Sequence, residues 1–377
     1  MKLSITFPAG KGYNSFMIVG VPKEIKDHEG RVALLPDAVA ALVSGGHRVL
    51  VQHRAGEGSG YPDALYRKAG AELVTTARSL YGASQMVVKV KEPLPAEYDY
   101  FRPDLRLFCY LHLAANPRLT RALVRSGVEA LAFETLIEGR ATPLLRPMSE
   151  IAGRLSVTIG AHFLQTDKGG KGVLLSPTDF SEGASVVVVG GGSVGRAAAE
   201  VAAGVGARVT VFDIRPEALR MWAKRFPSLR VEASSSKAIA EALKQADLAV
   251  GAVYVPGAKA PQVIRRAMVQ RMEPGSVLVD VAVDQGGTSE TTRPTSHSNP
   301  IYRRYGVIHY AVPNMPALVS RTASQVLSRV LLPYVLRVAE KKTTEEMQAD
   351  SAIASSLNII EGKISHPAVS ASLNGIR

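Results

Sequence analysis

The stretch Val186–Asp213 decides the fold of this chain and reads VVVVGGGSVGRAAAEVAAGVGARVTVFD. Its four valines predict a buried strand, the run of small residues predicts a helix, and a second β-branched strand ends at Asp213. Gly190, Gly192 and Gly195 supply the pattern G-x-G-x-x-G where the first strand gives way to the helix. The order strand, glycine turn, helix and strand therefore predicts a βαβ unit.

Each glycine of this turn has a physical role. The three glycines allow the tight turn, the close approach of a pyrophosphate to the backbone, and the close packing of helix on strand. The helix N-terminus attracts the phosphate. A glycine cluster alone often marks only a turn, but here Asp213 follows Gly195 by 18 residues, the place of a carboxylate that binds a ribose 2′-hydroxyl. The stretch predicts a dinucleotide site that prefers NAD, and Arg215 is the one residue that argues for NADP.

Strand and helix signals alternate along the rest of the chain, which is typical of parallel α/β sheets. The predicted fold class is α/β, with two Rossmann-like doubly wound domains joined by long helices and an interdomain cleft. Apolar residues at helical spacing predict the two long helices over 147–164 and 316–338. We also expect a helix over 260–270 and a short helix near Ile353–Ile359. The predicted domains are a substrate domain (17–145 and 321–377), an NAD-binding domain (146–320) and an N-terminal extension (1–16).

Composition limits the possible classes of protein. Of 377 residues, 46% are hydrophobic and 21% are charged, which is ordinary for a globular chain. No apolar run is long enough to predict a transmembrane helix. The single cysteine, Cys109, excludes an intramolecular disulfide and a cysteine-rich zinc site, so we expect no metal and an intracellular protein.

The net charge of +12 has two interpretations. It is compatible with nucleic-acid or membrane binding, but the basic residues are scattered, with only short doublets such as Arg265-Arg266. A solvated surface, or attraction of an anionic substrate and cofactor, is therefore favoured. We expect no nucleic-acid and no membrane partner.

Polar residues that follow predicted strands are the candidates for chemistry, because ligands of doubly wound sheets bind at the carboxyl ends of the strands. Singly, each is more often structural than catalytic. Together an arginine and a lysine can bind a carboxylate, a histidine can exchange a proton near neutral pH, and an aspartate can orient water. Beside a nicotinamide, such a set suits oxidation of a small amino or hydroxy acid. The candidates are Arg31, Lys91, His112, Asp284 and Asn314.

At these positions the sequence resembles the alanine dehydrogenase family, and more distantly the nucleotide-binding subunit of proton-pumping transhydrogenase and the saccharopine dehydrogenases. The resemblance runs from about residue 17 to 338. A weaker match lies around Leu357–Asn358 and Glu361–Gly362. The matching segments are GVPKEIKDHEGRVALLP (20–36), KVKEP (89–93), LHLAA (111–115), PMSEIAGRLS (147–156), VGGGSVGRAAA (189–199), GAVYVPGAKAP (251–261), VLVDVAVDQGG (277–287) and VPNMPALVSRTAS (312–324).

The resemblance implies a role for each matching residue. Arg31 and Lys91 would hold the substrate carboxylate and carbonyl, and His112 would be the acid/base group at C2. Asp284 would assist water addition to the imine. In the pocket between substrate and nicotinamide would lie Asn314 and Met315, while Ser149 would contact the cofactor and Asp213 its adenosine ribose. The family also implies NAD as cofactor, L-alanine, pyruvate and ammonium as substrates, and a cytoplasmic homohexamer.

Two features depart from the family pattern. The loop VLLSPTDFSEGAS replaces the family's usual Gly-Gly-Val-Pro-Gly-Val segment before the cofactor strand, and the N-terminal extension is atypical. Neither includes a candidate catalytic residue. Two alternatives stay open: a related opine or saccharopine-type amino acid dehydrogenase that uses NAD(P), and a non-catalytic, transhydrogenase-like NAD-binding subunit.

Overall fold

Two sheets organise the chain, one in each of two units. The structure is a computed structural model and describes residues 16–253 and 260–372. Unit 1 comprises Met1–Leu145 and Val319–Arg377, and unit 2 comprises Arg146–Leu318. Of the predicted N-terminal extension, residues 1–15 lie outside the described part. Residues 254–259, within the segment GAVYVPGAKAP, also lie outside the described part.

Unit 1 begins with six strands that alternate with short helices. The strands are β1 (Ile18–Val21), β2 (Arg48–Gln52), β3 (Glu72–Val74), β4 (Met86–Val88), β5 (Arg106–Cys109) and β6 (Glu129–Ala132). The helices are α1 (Pro36–Ser44), α2 (Asp63–Lys68), α3 (Ala77–Ala83) and α4 (Pro117–Ser126). All six strands are parallel, because each returns through a connection on a face of the sheet. The sheet order reverses at β1, which lies between β2 and β4.

Unit 2 repeats this plan. Its helices are α5 (Leu145–Phe163, beginning one residue before the unit), α6 (Ser193–Gly204), α7 (Pro216–Arg225), α8 (Ser236–Lys244) and α9 (Arg266–Val269). Its strands are β7 (Ser185–Val189), β8 (Arg208–Asp213), β9 (Arg230–Ala233), β10 (Leu248–Gly251), β11 (Val277–Asp280), β12 (Ile301–Arg304) and β13 (Val307–Tyr310). The sheet order is β12-β13-β11-β10-β7-β8-β9, and only β12 runs antiparallel to its neighbour. The order reverses at β7, the strand that precedes the glycine turn.

The chain then returns to complete unit 1. It forms α10 (Ser320–Glu340), α11 (Thr344–Gln348), α12 (Ser351–Ser356), β14 (Leu357–Ile360), β15 (Lys363–Ile364) and α13 (Pro367–Ser372). Strand β14 pairs antiparallel with β6, and β15 pairs with β14, so the sheet has eight strands. The predicted α/β class with two doubly wound sheets and long helices is confirmed.

Two predicted helices were wrong in part. Helix α9 spans only Arg266–Val269 rather than 260–270. The residues before it pair with another segment instead, because Ala260 N–H donates to Gln285 O and Ile264 bridges to Ser289. The helix predicted near Ile353–Ile359 ends at Ser356. From Leu357 the chain is a strand, since a short apolar run has no decisive periodicity and β6 offers a free edge for pairing.

Candidate functional site

Unit 1 gathers charged side chains at the carboxyl ends of its central strands. Arg31 lies in the segment after β1, Lys91 follows β4, and His112 follows β5. These strands are neighbours in the sheet and parallel, so their carboxyl ends meet at one edge. The charges of Arg31 and Lys91 both act on the pKa of His112, which places the three side chains in one electrostatic cluster.

Arg31 is held by a buried carboxylate. Its guanidinium is 2% exposed, and Nε and Nη2 donate to Glu29 Oε1 and Oε2 at 2.7 and 2.6 Å. The Arg31 backbone N–H also donates to Glu29 Oε1, at 3.1 Å. Burial by itself lowers the pKa of Arg31, but the bonds and charge of Glu29 outweigh it and the pKa is raised. A buried, fixed and permanently charged guanidinium is suited to binding a carboxylate in two-point geometry.

Lys91 is the second cation of this edge. It is buried, and its Nζ lies 3.1 Å from Glu92 Oε2, while Glu92 also pairs with Lys26. Burial raises the pKa of Glu92, but the charges of Lys91 and Lys26 outweigh it and lower the pKa to about 2. Two ammonium groups therefore share one carboxylate, which leaves net positive charge for an anionic ligand.

His112 has an unusual backbone and a neutral ring. Its φ of 49° is in the left-handed region, where a non-glycine residue is strained. The carboxylate of Glu134 stabilises this turn by accepting the N–H of His112 at 2.7 Å and the N–H of Leu111 at 3.2 Å. Burial, and then the charges of Lys91, Lys26 and Arg31, lower the pKa of His112 to about 3 despite the opposing effect of Glu92. The imidazole is therefore an unprotonated base at neutral pH.

A buried ion cluster supports the loop that carries Lys91. Lys89 Nζ donates to both oxygens of Glu97, at 2.7 and 2.9 Å, and lies 3.6 Å from Glu24 Oε2. Burial lowers the pKa of Lys89, but the two carboxylates outweigh it and raise the pKa. The other oxygen of Glu24 accepts the N–H of Val90 at 2.6 Å and that of Lys91 at 3.3 Å. The backbone of this loop is thereby fixed by Glu24, while Glu97 fixes the side chain of Lys89.

The glycine turn of unit 2 presents backbone rather than side chains. Gly190 has φ +107°, and a Cβ at Gly195 would lie 1.8 Å from Gly190 O. A Cβ at Gly192 would meet nothing within 4 Å, so that side of the turn is open for a ligand. Helix α6 begins at Ser193 without a side-chain cap, which leaves its first N–H groups available to phosphate. The turn fits a dinucleotide pyrophosphate.

Asp213 ends β8 and contacts the turn directly. Its Oδ2 accepts the N–H of Gly191 at 2.9 Å, and Arg215 donates to both carboxylate oxygens. Burial raises the pKa of Asp213, but the bonds and charge of Arg215 outweigh it and the pKa is lowered. Trp222, the only tryptophan of the chain, donates Nε1–H to Gly191 O at 3.3 Å. Asp213 is thus an anionic acceptor at the end of the strand next to the turn.

Four predicted residues occupy other places in unit 2. Asp284 lies in a single 3₁₀ turn after β11, and Asn314 follows β13 with φ +65°. Met315 is only 2% exposed and belongs to the hydrophobic core of the unit. Ser149 lies in the first turns of α5. Strands β11 and β13 are neighbours in the sheet. Asp284 and Asn314 therefore both follow the carboxyl ends of adjacent strands, as predicted.

Both halves of the chain match one family. The N-terminal domain of "Alanine dehydrogenase/PNT" matches residues 20–152 and the C-terminal domain matches residues 156–367. The chain belongs to this family. Alanine dehydrogenase from Bacillus subtilis is 48% identical over 359 residues, which cover 95% of each chain. That from Methanococcus maripaludis is 47% identical over 94% of this chain and 95% of its own.

Solved structures of the family have the same fold. An L-alanine dehydrogenase superimposes with a TM-score of 0.91 at 47% identity, over 96% of this chain and 100% of its own. A transhydrogenase from Sinorhizobium meliloti gives a TM-score of 0.78 at 26% identity, over 93% of this chain and 99% of its own. The resemblance inferred from the sequence motifs is confirmed, and membership of the family makes the chain a pyridine nucleotide-binding oxidoreductase.

Sequence reasoning missed the carboxylates that hold the cations and loops. Glu29 and Glu24 lie in the same loop as Arg31, between β1 and α1, but nothing in the sequence indicates which cation or backbone group each would bind. Glu134 closely follows β6, so the rule that selected His112 would have selected it too. Asp280 is the last residue of β11 and accepts the N–H groups of Thr288 and Ser289. These bonds order the loop that carries Asp284. Asp280 was not selected from the sequence because it lies within an otherwise apolar strand. Burial raises its pKa.

Within 16–253 and 260–372, no three His, Cys, Asp or Glu side chains are grouped as a metal site would need. In the same ranges no helix has the length and apolarity needed to cross a membrane.

Proposed function

We propose that this chain is an NAD-dependent L-alanine dehydrogenase. It catalyses the oxidative deamination of L-alanine to pyruvate and ammonium, and the reverse reductive amination of pyruvate. One observation carries the proposal: a buried Arg31 and a buried Lys91 share an edge of the sheet with an unprotonated His112. This set matches a small amino acid, with cations for its carboxylate and a base for its nitrogen.

The cofactor is proposed to bind in unit 2. Gly190, Gly192 and Gly195 give the pyrophosphate access to backbone N–H groups, and Asp213 accepts a ribose hydroxyl. Ser149 is proposed to contact the cofactor, as the family resemblance implies. When bound, the nicotinamide supplies a hydride acceptor for the substrate Cα–H. We propose NAD because a 2′-phosphate would be repelled by the carboxylate of Asp213.

The substrate is proposed to bind in unit 1. Its carboxylate is held by Arg31 and Lys91, which fixes the position of Cα and so its orientation for hydride loss. The reaction consumes L-alanine, NAD⁺ and water, and yields pyruvate, ammonium, NADH and one proton. Asn314 and Met315 are proposed to line the substrate pocket. The cations also stabilise the negative charge that persists on the carboxylate throughout the reaction.

His112 is proposed to manage the protons at C2. As a neutral base it accepts a proton from the substrate nitrogen or from the water that attacks the imine carbon, and it returns a proton to the departing ammonia. When the substrate carboxylate binds, it offsets the cations that depress the pKa of His112, and the pKa rises toward the range useful for catalysis. Asp284 is proposed to orient the water.

The alternatives differ in what they require of Arg31 and Lys91. An opine or saccharopine-type dehydrogenase needs a wider pocket for a second amino acid, and this chain keeps the motifs typical of a compact substrate. A transhydrogenase-like subunit, suggested by the similarity to the Sinorhizobium meliloti protein, has no use for two buried cations that bind a carboxylate.

One assay with a panel of amino acids tests the proposal. Purified protein at alkaline pH should reduce NAD⁺ with L-alanine, at a kcat/KM well above that for larger amino acids or for the joining of pyruvate to ornithine or lysine. Absorbance follows the formation of NADH with the amino acids and the consumption of NADH in the joining reactions. Absence of turnover with alanine, or a preference for NADP⁺ as electron acceptor, would contradict it.

Domain roles, assembly and partners are part of the same proposal. We propose that 17–145 with 321–377 is the substrate domain and that 146–320 is the NAD-binding domain. We also propose a cytoplasmic homohexamer with no nucleic-acid or membrane partner. Light scattering of the purified protein measures the number of subunits.

A further inference from the structure

One side chain binds two consecutive backbone N–H groups of the turn that carries His112. Glu134 Oε1 accepts the N–H of His112 at 2.7 Å, and Oε2 accepts that of Leu111 at 3.2 Å. Strand β6 runs parallel to β5 and beside it, so the 3₁₀ turn that follows β6 brings Glu134 next to the residues that follow β5. The support for this turn therefore comes from a neighbouring strand and not from the turn itself.

The backbone of His112 needs such a support. Its φ of 49° and ψ of 41° lie in the left-handed region, where a residue other than glycine is strained and persists only if its surroundings impose the conformation. Leu111 and Leu113, on either side, are buried in the hydrophobic core and fix the direction of the chain. Without the bonds to Glu134, His112 would relax to negative φ between these two anchors.

The direction of the imidazole depends on this backbone conformation. The ring of His112 lies parallel to that of Tyr110, with the two centroids 6.0 Å apart and the planes 12° from parallel. The charges of Lys91 and Arg31, which are proposed to bind the substrate carboxylate, both act on the pKa of His112. A change of φ at His112 would rotate the ring away from Tyr110 and from these two cations.

We propose that Glu134 is a positioning residue for the acid/base group: its carboxylate holds the turn in the left-handed conformation that directs the imidazole of His112 to the substrate. This inference rests on the role proposed for His112. Glu134 exchanges no proton with the substrate and acts through the backbone. It therefore contributes to kcat rather than to substrate binding, because Arg31 and Lys91 are paired with other carboxylates.

Glu134→Ala tests the split between kcat and KM. The variant should lower kcat for alanine oxidation about 10- to 100-fold, the fold-change that corresponds to the loss of two buried hydrogen bonds. KM for alanine should stay the same or fall, because removing a negative charge near Lys91 strengthens the attraction for a carboxylate. A rise in KM as large as the fall in kcat would show that the whole edge is disturbed and would overturn the proposal.

Glu134→Gln separates the hydrogen bond from the charge. The amide oxygen can still accept the N–H of His112, so kcat of this variant should lie at least about 3-fold above that of Glu134→Ala. An equal loss of kcat in the two variants would overturn the proposal, since the bond to the backbone would then make no difference.

Glu138→Ala is the matched control. The carboxylate of Glu138 also belongs to unit 1, but it accepts bonds from Tyr334 and Arg337 instead of the His112 turn. Its removal should leave kcat within about 2-fold of the original protein. A fall in kcat like that of Glu134→Ala would overturn the proposal, because any lost carboxylate of the segment would then have the same effect.

A double-mutant cycle shows whether Glu134 acts through His112. In a protein that already carries His112→Ala, adding Glu134→Ala should change kcat by less than about 2-fold, because the group that Glu134 positions is gone. Losses that multiply in the double variant would overturn the proposal.

Hydrogen exchange, measured by mass spectrometry on the full chain, needs no turnover. The amides of Leu111 and His112 should exchange at least about 10-fold faster in Glu134→Ala, and not in Glu138→Ala, because they lose their acceptor. Unchanged exchange would overturn the proposal. If the original protein does not oxidise alanine, the proposed function fails, whereas the exchange rates still decide whether Glu134 holds the turn.

Discussion

The glycine turn of unit 2 and the charged edge of unit 1 are built from opposite materials. The turn offers backbone N–H groups and open space, because its key residues are glycines, which have no side chain. The edge offers charged side chains that are buried and held by other buried charges. A site formed by backbone groups needs only a short continuous stretch such as Val186–Asp213. The charged edge instead combines side chains from several loops between Glu24 and Glu134.

This difference affects how each region tolerates change. Removing one partner of a buried ion pair leaves an uncompensated charge, which typically costs about 3–5 kcal/mol. Arg31 with Glu29, and Lys89 with Glu97, are such pairs. The glycine turn is sensitive only where a Cβ would meet backbone, as at Gly195, and is permissive where the space is open, as at Gly192. Four substitutions separate these two kinds of sensitivity.

The largest effect is expected for His112→Ala. Because the substitution removes the proposed acid/base group, kcat for alanine oxidation should fall by about 100- to 10,000-fold. The measurement is kcat at saturating alanine and NAD⁺, together with NADH binding followed by Trp222 emission, which should not change. His162→Ala, at an exposed histidine of α5, is the control. A rate near that of the original protein would return His112 to a structural role.

A pair of glycine substitutions tests the turn. Gly195→Ala should lower the free energy of unfolding by about 1–3 kcal/mol, since the new methyl group would lie against Gly190 O. Gly192→Ala should leave that free energy nearly unchanged and weaken NADH binding, because its methyl group points into the space open to the pyrophosphate. Denaturant unfolding and calorimetric titration measure the two. Equal loss of stability in both variants would show that the open space at Gly192 is not reserved for a ligand.

The smallest effect is expected for Lys26→Gln. Lys26 is one of the cations that lower the pKa of His112, so its removal should raise that pKa from about 3 in the direction of the ordinary histidine value. In the original protein His112 should stay neutral from pH 5 to 8. NMR titration of the imidazole resonances measures both. Lys23→Gln, at an exposed lysine of the same segment, should leave the titration unchanged, and a similar shift in both variants would contradict a local effect.

The same contrast explains what could be predicted from the sequence. Central strands such as β4, β7 and β10 are apolar in their buried positions, and β7 and the glycine turn before α6 were predicted from that pattern. The edge strands β3, β9 and β12 were not predicted, because each is partly exposed and carries polar residues among the apolar ones. Edge strands have one neighbour and little burial, so the hydrophobic pattern that reveals a strand is weakest there.

The candidate site was predictable to the extent that its residues follow strands. Arg31, Lys91 and His112 were selected in this way, and the structure brings them into one electrostatic cluster. Their roles stay predictions. The partner carboxylates were not selected, because a glutamate in a loop has no periodicity and pairing across loops depends on the fold. Glu24 becomes recognisable only when β1 and β4 lie side by side, because the N–H groups that it accepts, those of Val90 and Lys91, follow β4.

The antiparallel addition of β14 to β6 has a consequence for the order of synthesis. Leu357 pairs with Leu131, so more than 200 residues separate the partners, whereas unit 2 is one continuous segment. During translation all the strands of unit 2 are made before the sheet of unit 1 is complete. The β6 edge of unit 1 stays unpaired until β14 is made. An open strand edge invites pairing with other chains. Until β14 has paired with β6, the sheet of unit 1 therefore keeps open an edge that the folded protein covers.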